Sequence, residues 1–372
     1  MATAPSSETL PPGPSDLSRR EAFRFWLKLG FISFGGPAGQ IALMHDELVS
    51  RRRWLSERRF LHALNYCMLL PGPEAQQLAT YLGWLLHRSW GGVVAGLLFI
   101  LPSLGLLILL AWVYLVYGDV PLIAGVFYAI KPVVVVVVVQ AAWRIGGRVL
   151  HNRWLWAIAL AAFAAIFALQ LPFPLIVLAA ALAGTVGGRL LPSAFSPSTA
   201  AHAPSDGGGD ALLNDHSAIP EHARFSSWRL AKLLLIGAAL WVLPMGLLTL
   251  WQGWHGPLTQ MSWFFTKAAL LTFGGAYAVL PYVYQGAVLQ YGWLSPLQMI
   301  DGLALGESTP GPLIMVVVFV AFLGGYQGAF LGADQALAAG MLAALLVCWF
   351  TFLPSFLFVL GGAPLIEATR GE

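Results

Sequence analysis

Long apolar runs constrain the fold of this chain more than any other feature. Four of them, at 91–117, 120–143, 154–187 and 341–360, are long enough to cross a bilayer, which takes about 20 residues of α-helix. Of the 372 residues, 58% are hydrophobic and only 10% are charged, whereas a soluble protein carries about a quarter charged residues. We therefore predict an all-α polytopic membrane protein that is surrounded by the lipid bilayer.

The charged residues and the cysteines exclude several other classes of protein. The net charge of +3 comes from a few arginine clusters, a pattern that does not indicate nucleic-acid binding. Cys67 and Cys348 both lie in apolar segments, and alone they provide neither a disulfide framework nor a metal site. Residues 1–18 are rich in Pro and Ser and are predicted to be a disordered cytoplasmic tail. No cleaved signal peptide is expected, because Arg24 and Lys28 interrupt the segment that follows.

The chain repeats itself at an offset of 239 residues. Four features recur at this offset without a gap: Lys28 as Lys267, Phe34-Gly35-Gly36 as Phe273-Gly274-Gly275, Trp54-Leu55-Ser56 as Trp293-Leu294-Ser295, and Pro71-Gly72-Pro73 as Pro310-Gly311-Pro312. A weaker match, Leu-Pro-Ser at 101–103 and 353–355, needs about a dozen extra residues in the second copy. We interpret the chain as two homologous transporter halves, 19–190 and 228–370, joined at 191–227 by a polar Pro/Gly/Ser linker of the flexible kind.

Charge predicts that the two halves have opposite orientations in the membrane. The loop at 45–59 carries five arginines, whereas its counterpart at 284–298 carries no Lys or Arg. The positive-inside rule puts the first loop in the cytoplasm and the second outside. An odd number of spans separates the two loops if the Phe-Gly-Gly and Pro-Gly-Pro segments are re-entrant hairpins, and these spans are 91–117, 120–143, 154–171, 173–190 and 232–251. We predict two inverted-topology halves with broken helical hairpins, and a cytoplasmic N-terminus and linker.

The broken segments predict where a substrate binds. Interrupted apolar segments at matching positions of an inverted repeat are typical of the substrate site of a secondary transporter. Pro-Gly-Pro would end one half-helix and begin another, whose free N–H groups and positive dipole end suit an anion. The candidate transport residues are Lys28, Phe34, Gly35, Gly36, Gln40, Pro71, Gly72, Pro73, Glu74, Gln76, Gln77, Lys267, Phe273, Gly274, Gly275, Glu307, Thr309, Pro310, Gly311 and Pro312.

The glycines of these motifs have a second interpretation. Glycine lets a backbone approach a ligand closely, but Gly-Gly pairs in membrane helices also serve close helix packing. If Gly72 and Gly311 let the backbone reach an oxyanion, alanine at either position should abolish transport and leave the stability unchanged. A packing role predicts that transport and stability are lost together.

The charged candidates also have two interpretations each. Lys267 is the only Lys or Arg between residues 233 and 369, and it either counters the charge of an anion or extends to the membrane interface. The same choice applies to Lys28, its partner in the repeat. Glu74 and Glu307 lie near the breaks and are candidates for protonatable coupling groups, although Glu74 is equally well placed to stabilise a helix start.

Five segments together resemble one family. They are FGGPAGQIALMHDELV, RRRWLSERRFLHAL, LLPGPEAQQLATYLGW, TFGGAYAVLPYV and LALGESTPGPL, and they resemble the chromate ion transporter family in its two-half form over nearly all of 20–360. The resemblance implies a bacterial inner-membrane carrier that exports chromate and confers resistance to it, with sulfate as an interacting structural analogue. The two copies differ at Pro37 against Ala276 and at Glu74 against Leu313, which argues against a symmetric site.

Other functions remain open at this level. A proton-coupled transporter of sulfate or another oxyanion is the main rival, because sulfate and chromate share their shape and charge. A membrane enzyme, such as a chromate reductase or an intramembrane hydrolase, would need redox ligands, a flavin fingerprint or a nucleophile–base pair. We find no such pattern and therefore expect no enzyme activity, metal or cofactor. Protons are the candidate coupling ion, and the choice between a monomer and a homodimer stays open.

Overall fold

The described part of the chain is almost entirely helical. The computed structural model describes residues 17–169, 171–190, 211–213, 220–273 and 275–368. Within these residues no β-strand forms, and the thirteen α-helices are α1 Arg19–Ile32, α2 Gly36–His45, α3 Glu57–Leu69, α4 Glu74–Tyr117, α5 Pro121–Val149, α6 Arg153–Phe167, α7 Phe173–Leu190, α8 Ser227–Gln252, α9 Pro257–Leu271, α10 Ala276–Tyr284, α11 Pro296–Ser308, α12 Val316–Gly328 and α13 Ala336–Ala368. The predicted all-α class is confirmed.

The duplication is visible in the boundaries of the helices. The last residues of α1 and α9 are 239 positions apart, and both ends of α3 and α11 differ by the same number. Each half also has one π-helical turn at the matching place, Asp46–Arg51 and Gln285–Gln290. The elements α1–α4 therefore correspond to α9–α13, which confirms two homologous halves.

The extra residues of the second copy lie between α12 and α13. In the first copy α4 runs through 44 residues, and its only interruption is a kink with non-helical backbone at His87 and Arg88. The second copy begins with a 3₁₀ turn at Leu313–Met315, continues as α12, leaves the helix after Gly328 and resumes as α13. Beyond these breaks the copies align again, with Pro102 inside α4 and Pro354 inside α13.

The helices that follow the breaks form the centre of the molecule. Residues 75–86 of α4 and 316–325 of α12 are all buried, and α13 packs against α4, α8, α9 and α12. Helices α5 to α8 lie outside this centre and expose many large apolar side chains, as expected of a surface in contact with lipid. Within the described residues, α4, α8 and 333–368 are long and apolar enough to cross a membrane by length and composition alone, whereas α6 is a shorter apolar helix.

Parts of the predicted flexible linker pack onto the first half. Leu212 N–H donates to the Arg53 carbonyl at 2.9 Å, and Leu213 N–H donates to the Trp54 carbonyl at 3.1 Å. Leu213 is buried in the core of the first half. The linker was predicted to be polar and flexible, and its two consecutive leucines gain by burial next to the arginine-rich loop.

Two further contacts join chain segments at the end of the molecule that holds the arginine-rich loop. His222, just before α8, lies with Nε2 3.2 Å from the Trp84 carbonyl oxygen. Burial lowers the pKa of His222, and the nearby Arg88 and Arg229 act in the same direction. Leu17 is buried, and its carbonyl oxygen lies 3.0 Å from His87 Nε2. Leu17, at the end of the predicted tail, therefore contacts the first half, and residues 1–16 of that tail lie outside the described residues.

Candidate functional site

Four helix breaks, two from each half, come together by reciprocal hydrogen bonds. Gly72 N–H donates to the Thr272 carbonyl at 2.7 Å, and Gly311 N–H donates to the Ser33 carbonyl at 2.9 Å. Donors and acceptors are each related by the 239-residue offset, so the contact is the same in both directions. Such reciprocity is the property of a two-fold interface. We term the breaks at 33–36, 71–73, 272–275 and 310–312 the junction, in which Gly274 is outside the described residues.

Ser33 and Thr272 end α1 and α9 in the same way. Their backbone angles are φ −79°, ψ 69° and φ −80°, ψ 76°. The hydroxyl of Ser33 donates to the Leu29 carbonyl at 2.6 Å, and that of Thr272 donates to the Ala268 carbonyl at 2.7 Å. Because each hydroxyl bonds within its own helix, the main-chain carbonyl of the same residue is available to the opposite half.

Gly72 and Gly311 are required by backbone conformation and by close packing. Their φ angles are +132° and +102°, a region that side chains with a β-carbon rarely adopt. A β-carbon on Gly72 would lie 2.5 Å from Ser355 Oγ, and one on Gly311 would lie 2.6 Å from Ser103 Cβ. Both N–H groups are also bonded to the opposite half. The expectation that alanine would be tolerated at these positions without loss of stability is therefore wrong.

Two glutamine side chains of the first half donate to the main chain of the junction. Gln40 Nε2 donates to the Ser33 carbonyl at 3.1 Å and to the Gly311 carbonyl at 2.6 Å, so this one amide links both halves. Gln77 Nε2 donates to the Pro71 carbonyl at 2.8 Å. At the matching positions the second half has Val279 and Val316. The junction is two-fold in its main chain and asymmetric in its side chains.

Two half-buried carboxyl groups lie close to the Phe-Gly-Gly turns. A β-carbon built on Gly275 would lie 3.4 Å from Glu74 Oε1, which shows that this side chain reaches across to the other half. Tyr277 donates its hydroxyl proton to Glu307 Oε1 at 2.7 Å. The same hydroxyl is 3.8 Å from the β-carbon position of Gly36. One carboxyl group is thus near each of the two turns.

The helix starts near these turns supply main-chain donors. Glu74 is the first residue of α4, and Tyr277 is in the first turn of α10. The N–H groups of a first helical turn point out of the helix end and do not bond within that helix, so the N-terminal ends of α4 and α10 direct main-chain donors and a positive dipole end towards the Phe-Gly-Gly turns. Gln76, also in the first turn of α4, is fully buried, and its Nε2 donates to Thr80 Oγ1 at 3.0 Å.

Other predicted candidates lie at the edge of the junction. Lys28 is exposed, and Lys267 is partly buried with its Nζ 5.7 Å from the centre of the Trp263 ring. Phe34 and Phe273 are both about half exposed, at 52% and 53%. Thr309 is buried, and its hydroxyl donates to the Gly306 carbonyl of its own helix at 3.3 Å.

The structure adds two residues that the sequence did not single out as site residues. Ser103 and Ser355, the serines of the two Leu-Pro-Ser matches, are fully buried and face Gly311 and Gly72 across the junction. Their hydroxyls have no hydrogen-bond partner among the described residues. The sequence signal that could have indicated these two serines was the weaker Leu-Pro-Ser match of the internal repeat.

A duplicated helical membrane protein whose halves meet at paired helix breaks has the architecture of a secondary transporter. The family to which it belongs follows from its sequence. The profile of the chromate transporter family matches residues 20–185 and 259–372, so the two matched segments correspond to the two structural halves. The chain belongs to the chromate transporter family.

Curated relatives lead to the same family. The chain is 33% identical to the chromate transport protein of Pseudomonas aeruginosa, over 96% of this chain and 75% of that protein. It is 29% identical to the probable chromate transport protein of Synechococcus elongatus, over 85% and 72%. It is 28% identical to the chromate transport protein of Cupriavidus metallidurans, over 93% and 74%. No solved structure matches the chain.

Proposed function

We propose that this protein is a secondary active transporter that exports chromate across the bacterial plasma membrane and thereby confers resistance to chromate. The observation that carries the proposal is the pair of reciprocal hydrogen bonds between Gly72 and Thr272 and between Gly311 and Ser33. These bonds hold two pseudo-equivalent halves together at helix breaks that occur in both copies. Alternating access requires such an arrangement, because one half rocks against the other around a shared site.

Chromate is a tetrahedral dianion, and the groups at the junction suit such a substrate. The first-turn N–H groups of α4 and α10 and the positive ends of their dipoles favour an anion. The side chains that contact the breaks, Gln40 and Gln77, are neutral. Neutral amide donors bind a dianion by directed hydrogen bonds and do not hold it as an ion pair would, so that it can also leave, which transport requires. Sulfate has the same shape and charge and is a second candidate substrate of the same site.

Proton coupling rests on Glu74 and Glu307. Both carboxyl groups are partly buried beside the Phe-Gly-Gly turns of the junction. Carboxyl groups within a membrane-embedded region typically serve as proton carriers, since their ionised form is costly there. A proton that enters at one carboxyl group while chromate leaves would link the two movements.

The contacts at the two ends of the molecule support the inverted orientation. Gln285, in the arginine-free loop of the second half, donates to the Leu171 carbonyl at 3.0 Å and accepts from Phe173 N–H at 3.1 Å. Tyr114, near the end of α4, donates to Asp301 Oδ2 at 2.9 Å. The segments that meet here, 114–121, 168–173 and 284–301, contain no Lys or Arg. The opposite end holds the arginine-rich loop and the packed linker leucines, as a cytoplasmic face would.

Cysteine labelling tests this orientation with a matched pair of positions. Arg58 and Leu297 are exposed and are related by the 239-residue offset. In a background where Cys67 and Cys348 are replaced by serine, Arg58→Cys should react with an impermeant maleimide only from the cytoplasmic side. Leu297→Cys should react only from the outside. Labelling of both cysteines from the same side would contradict the inverted topology.

Lys267 is expected to contribute to anion affinity. It lies five residues before Thr272, about 7.5 Å along α9, and its charge is only partly exposed. Lys267→Ala should raise the KM for chromate about tenfold, equivalent to about 1.4 kcal/mol, and Lys267→Arg should restore most of the affinity. The control is Lys232→Ala in the first turns of α8. An unchanged KM for Lys267→Ala would mean that this lysine only packs against Trp263.

Transport in inverted membrane vesicles tests the function itself. Chromate should enter such vesicles when the protein is present, and an imposed proton gradient should change the rate. The same vesicles with labelled sulfate measure the rival substrate. Chromium recovered from the lumen should still be hexavalent, because reduction during passage would indicate an enzyme. No chromate uptake with either gradient direction would refute export by this protein.

A further inference from the structure

The Leu-Pro-Ser motifs contain a pair of hydroxyls that the fold leaves without a partner. Ser103 is 0% exposed and Ser355 is 1% exposed, and neither hydroxyl has a hydrogen-bond partner among the described residues. A buried hydroxyl without a partner is costly, because it gives up its bonds to water and receives none in return. Two such groups at pseudo-equivalent positions therefore need an explanation.

Other hydroxyls in the helices of this chain show what the usual arrangement is. Thr80, Thr249 and Thr266 each donate to the carbonyl four residues earlier, at 2.9, 2.8 and 2.8 Å. This bond is available to any serine or threonine inside a helix. The hydroxyls of Ser103 and Ser355 do not make it, although both residues are inside helices, α4 and α13. Their hydroxyls are therefore available to a partner outside their own helices.

Each serine is packed against the Pro-Gly-Pro break of the opposite half. The β-carbon position of Gly311 is 3.0 Å from Ser103 Oγ, and that of Gly72 is 2.5 Å from Ser355 Oγ. Pro102 and Pro354 come directly before the two serines. A proline inside a helix bends it, since it lacks an N–H group and its ring displaces the preceding turn. Next to these prolines α4 and α13 pass close to the breaks, with one serine hydroxyl on each helix.

We propose that Ser103 and Ser355 are a pair of substrate-binding residues, one from each half, whose hydroxyls bind two oxygens of the transported tetrahedral oxyanion when the halves separate at the junction. This proposal rests on the transport function proposed above. In the described conformation the glycines lie against the serines and leave no room for the ion. Opening of the hydrogen bonds at Gly72 and Gly311 would place both hydroxyls beside main-chain N–H groups that are released at the same time.

Hydroxyl donors suit this task for a chemical reason. A serine hydroxyl is neutral and donates one hydrogen bond, and its proton turns to suit the acceptor. Hydrogen bonds to an ionised acceptor are stronger than those between neutral groups, so two hydroxyls recognise a dianion without holding it as an ion pair would. The pair also provides one equal contact from each half, as expected of a site that opens in turn to the two sides of the membrane.

Alanine substitutions test the proposal on transport and binding together. Ser103→Ala and Ser355→Ala should each raise the KM for chromate uptake about tenfold, the value of one lost hydrogen bond to a charged group. The melting temperature in detergent should stay the same or rise, because a buried unpaired hydroxyl has been removed. Ser103→Cys and Ser355→Cys replace the hydroxyl by a larger thiol and should show the same rise in KM as the alanine variants, since a thiol is a weak donor.

A matched control separates this role from the general effect of a buried serine. Ser262 in α9 is also fully buried, and its hydroxyl has no partner within the described structure, but it is ten residues from the break at Thr272. Ser262→Ala should leave the KM unchanged. A second readout is the rise in melting temperature on addition of chromate or sulfate, which should be reduced for both junction variants and retained for Ser262→Ala.

The outcomes distinguish the two proposals. If the unaltered protein neither moves chromate nor is stabilised by an oxyanion, the proposed transport function fails. If the unaltered protein transports chromate and both serine variants keep its KM and its stabilisation by oxyanions, the serine proposal fails and transport stands. A stabilisation that is lost equally in Ser262→Ala would also overturn the serine proposal.

Discussion

Alanine at Gly72 or at Gly311 is expected to lower the free energy of unfolding by about 2–5 kcal/mol, the sum of backbone strain and overpacking. Both glycines have positive φ angles, and a methyl group on either one would lie within 2.6 Å of a serine in the opposite half. The added carbon would also push apart the cross-half hydrogen bonds that these residues donate. Chromate transport should be lost together with thermal stability.

The measurement is the melting temperature in detergent and chromate uptake from the same preparation. Gly246→Ala in α8 is the matched control, because nothing lies within 4 Å of its β-carbon position. This helical alanine should be neutral or stabilising by up to about 1 kcal/mol. If Gly72→Ala lost transport but kept the melting temperature of the unaltered protein, close packing would not be the reason for a glycine at this position.

Glu74→Gln is expected to abolish the response of transport to a proton gradient. An amide has nearly the shape of a carboxyl group, but it neither takes up nor releases a proton. Uptake of chromate driven by the gradient should fall roughly tenfold or more, to the rate measured without a gradient, as for the loss of a proton carrier in a transporter. The protein should remain folded. Glu74 Oε1 lies close to Gly275, and among the described contacts this carboxyl group forms no salt bridge that the amide would break.

Glu57→Gln is the control for a role in helix stabilisation. Glu57 is the first residue of α3, as Glu74 is of α4, but it pairs with His45 at 2.5 Å and is outside the junction. This variant should retain the gradient dependence. Glu307→Gln and Tyr277→Phe then test the second carboxyl group, because the tyrosine hydroxyl is its hydrogen-bond donor. If chromate uptake by Glu74→Gln still depended fully on the proton gradient, stabilisation of the start of α4 would be the remaining role of Glu74.

The sequence by itself determined that the protein is an all-α membrane protein and that its chain contains an internal duplication. Apolar runs of bilayer length can only be helices or a closed barrel, because the backbone must satisfy its own hydrogen bonds in lipid. The offset of 239 residues predicted the matching elements, and the boundaries of α3 and α11 follow it without deviation. The breaks at Phe-Gly-Gly and Pro-Gly-Pro were also readable, since glycine and proline act on the local backbone alone.

Only the tertiary structure decided what the breaks contact. The partners of Gly72 and Gly311 are 200 and 278 positions away along the chain, and no local pattern specifies which carbonyl accepts a given N–H. The sequence therefore suggested free donors where the fold has bonded ones. The Leu-Pro-Ser match had little weight in the sequence, because it needs about a dozen extra residues in the second copy. That Ser103 and Ser355 face the opposite half depends on how α4 and α13 bend and pack, and this is a property of the assembled molecule.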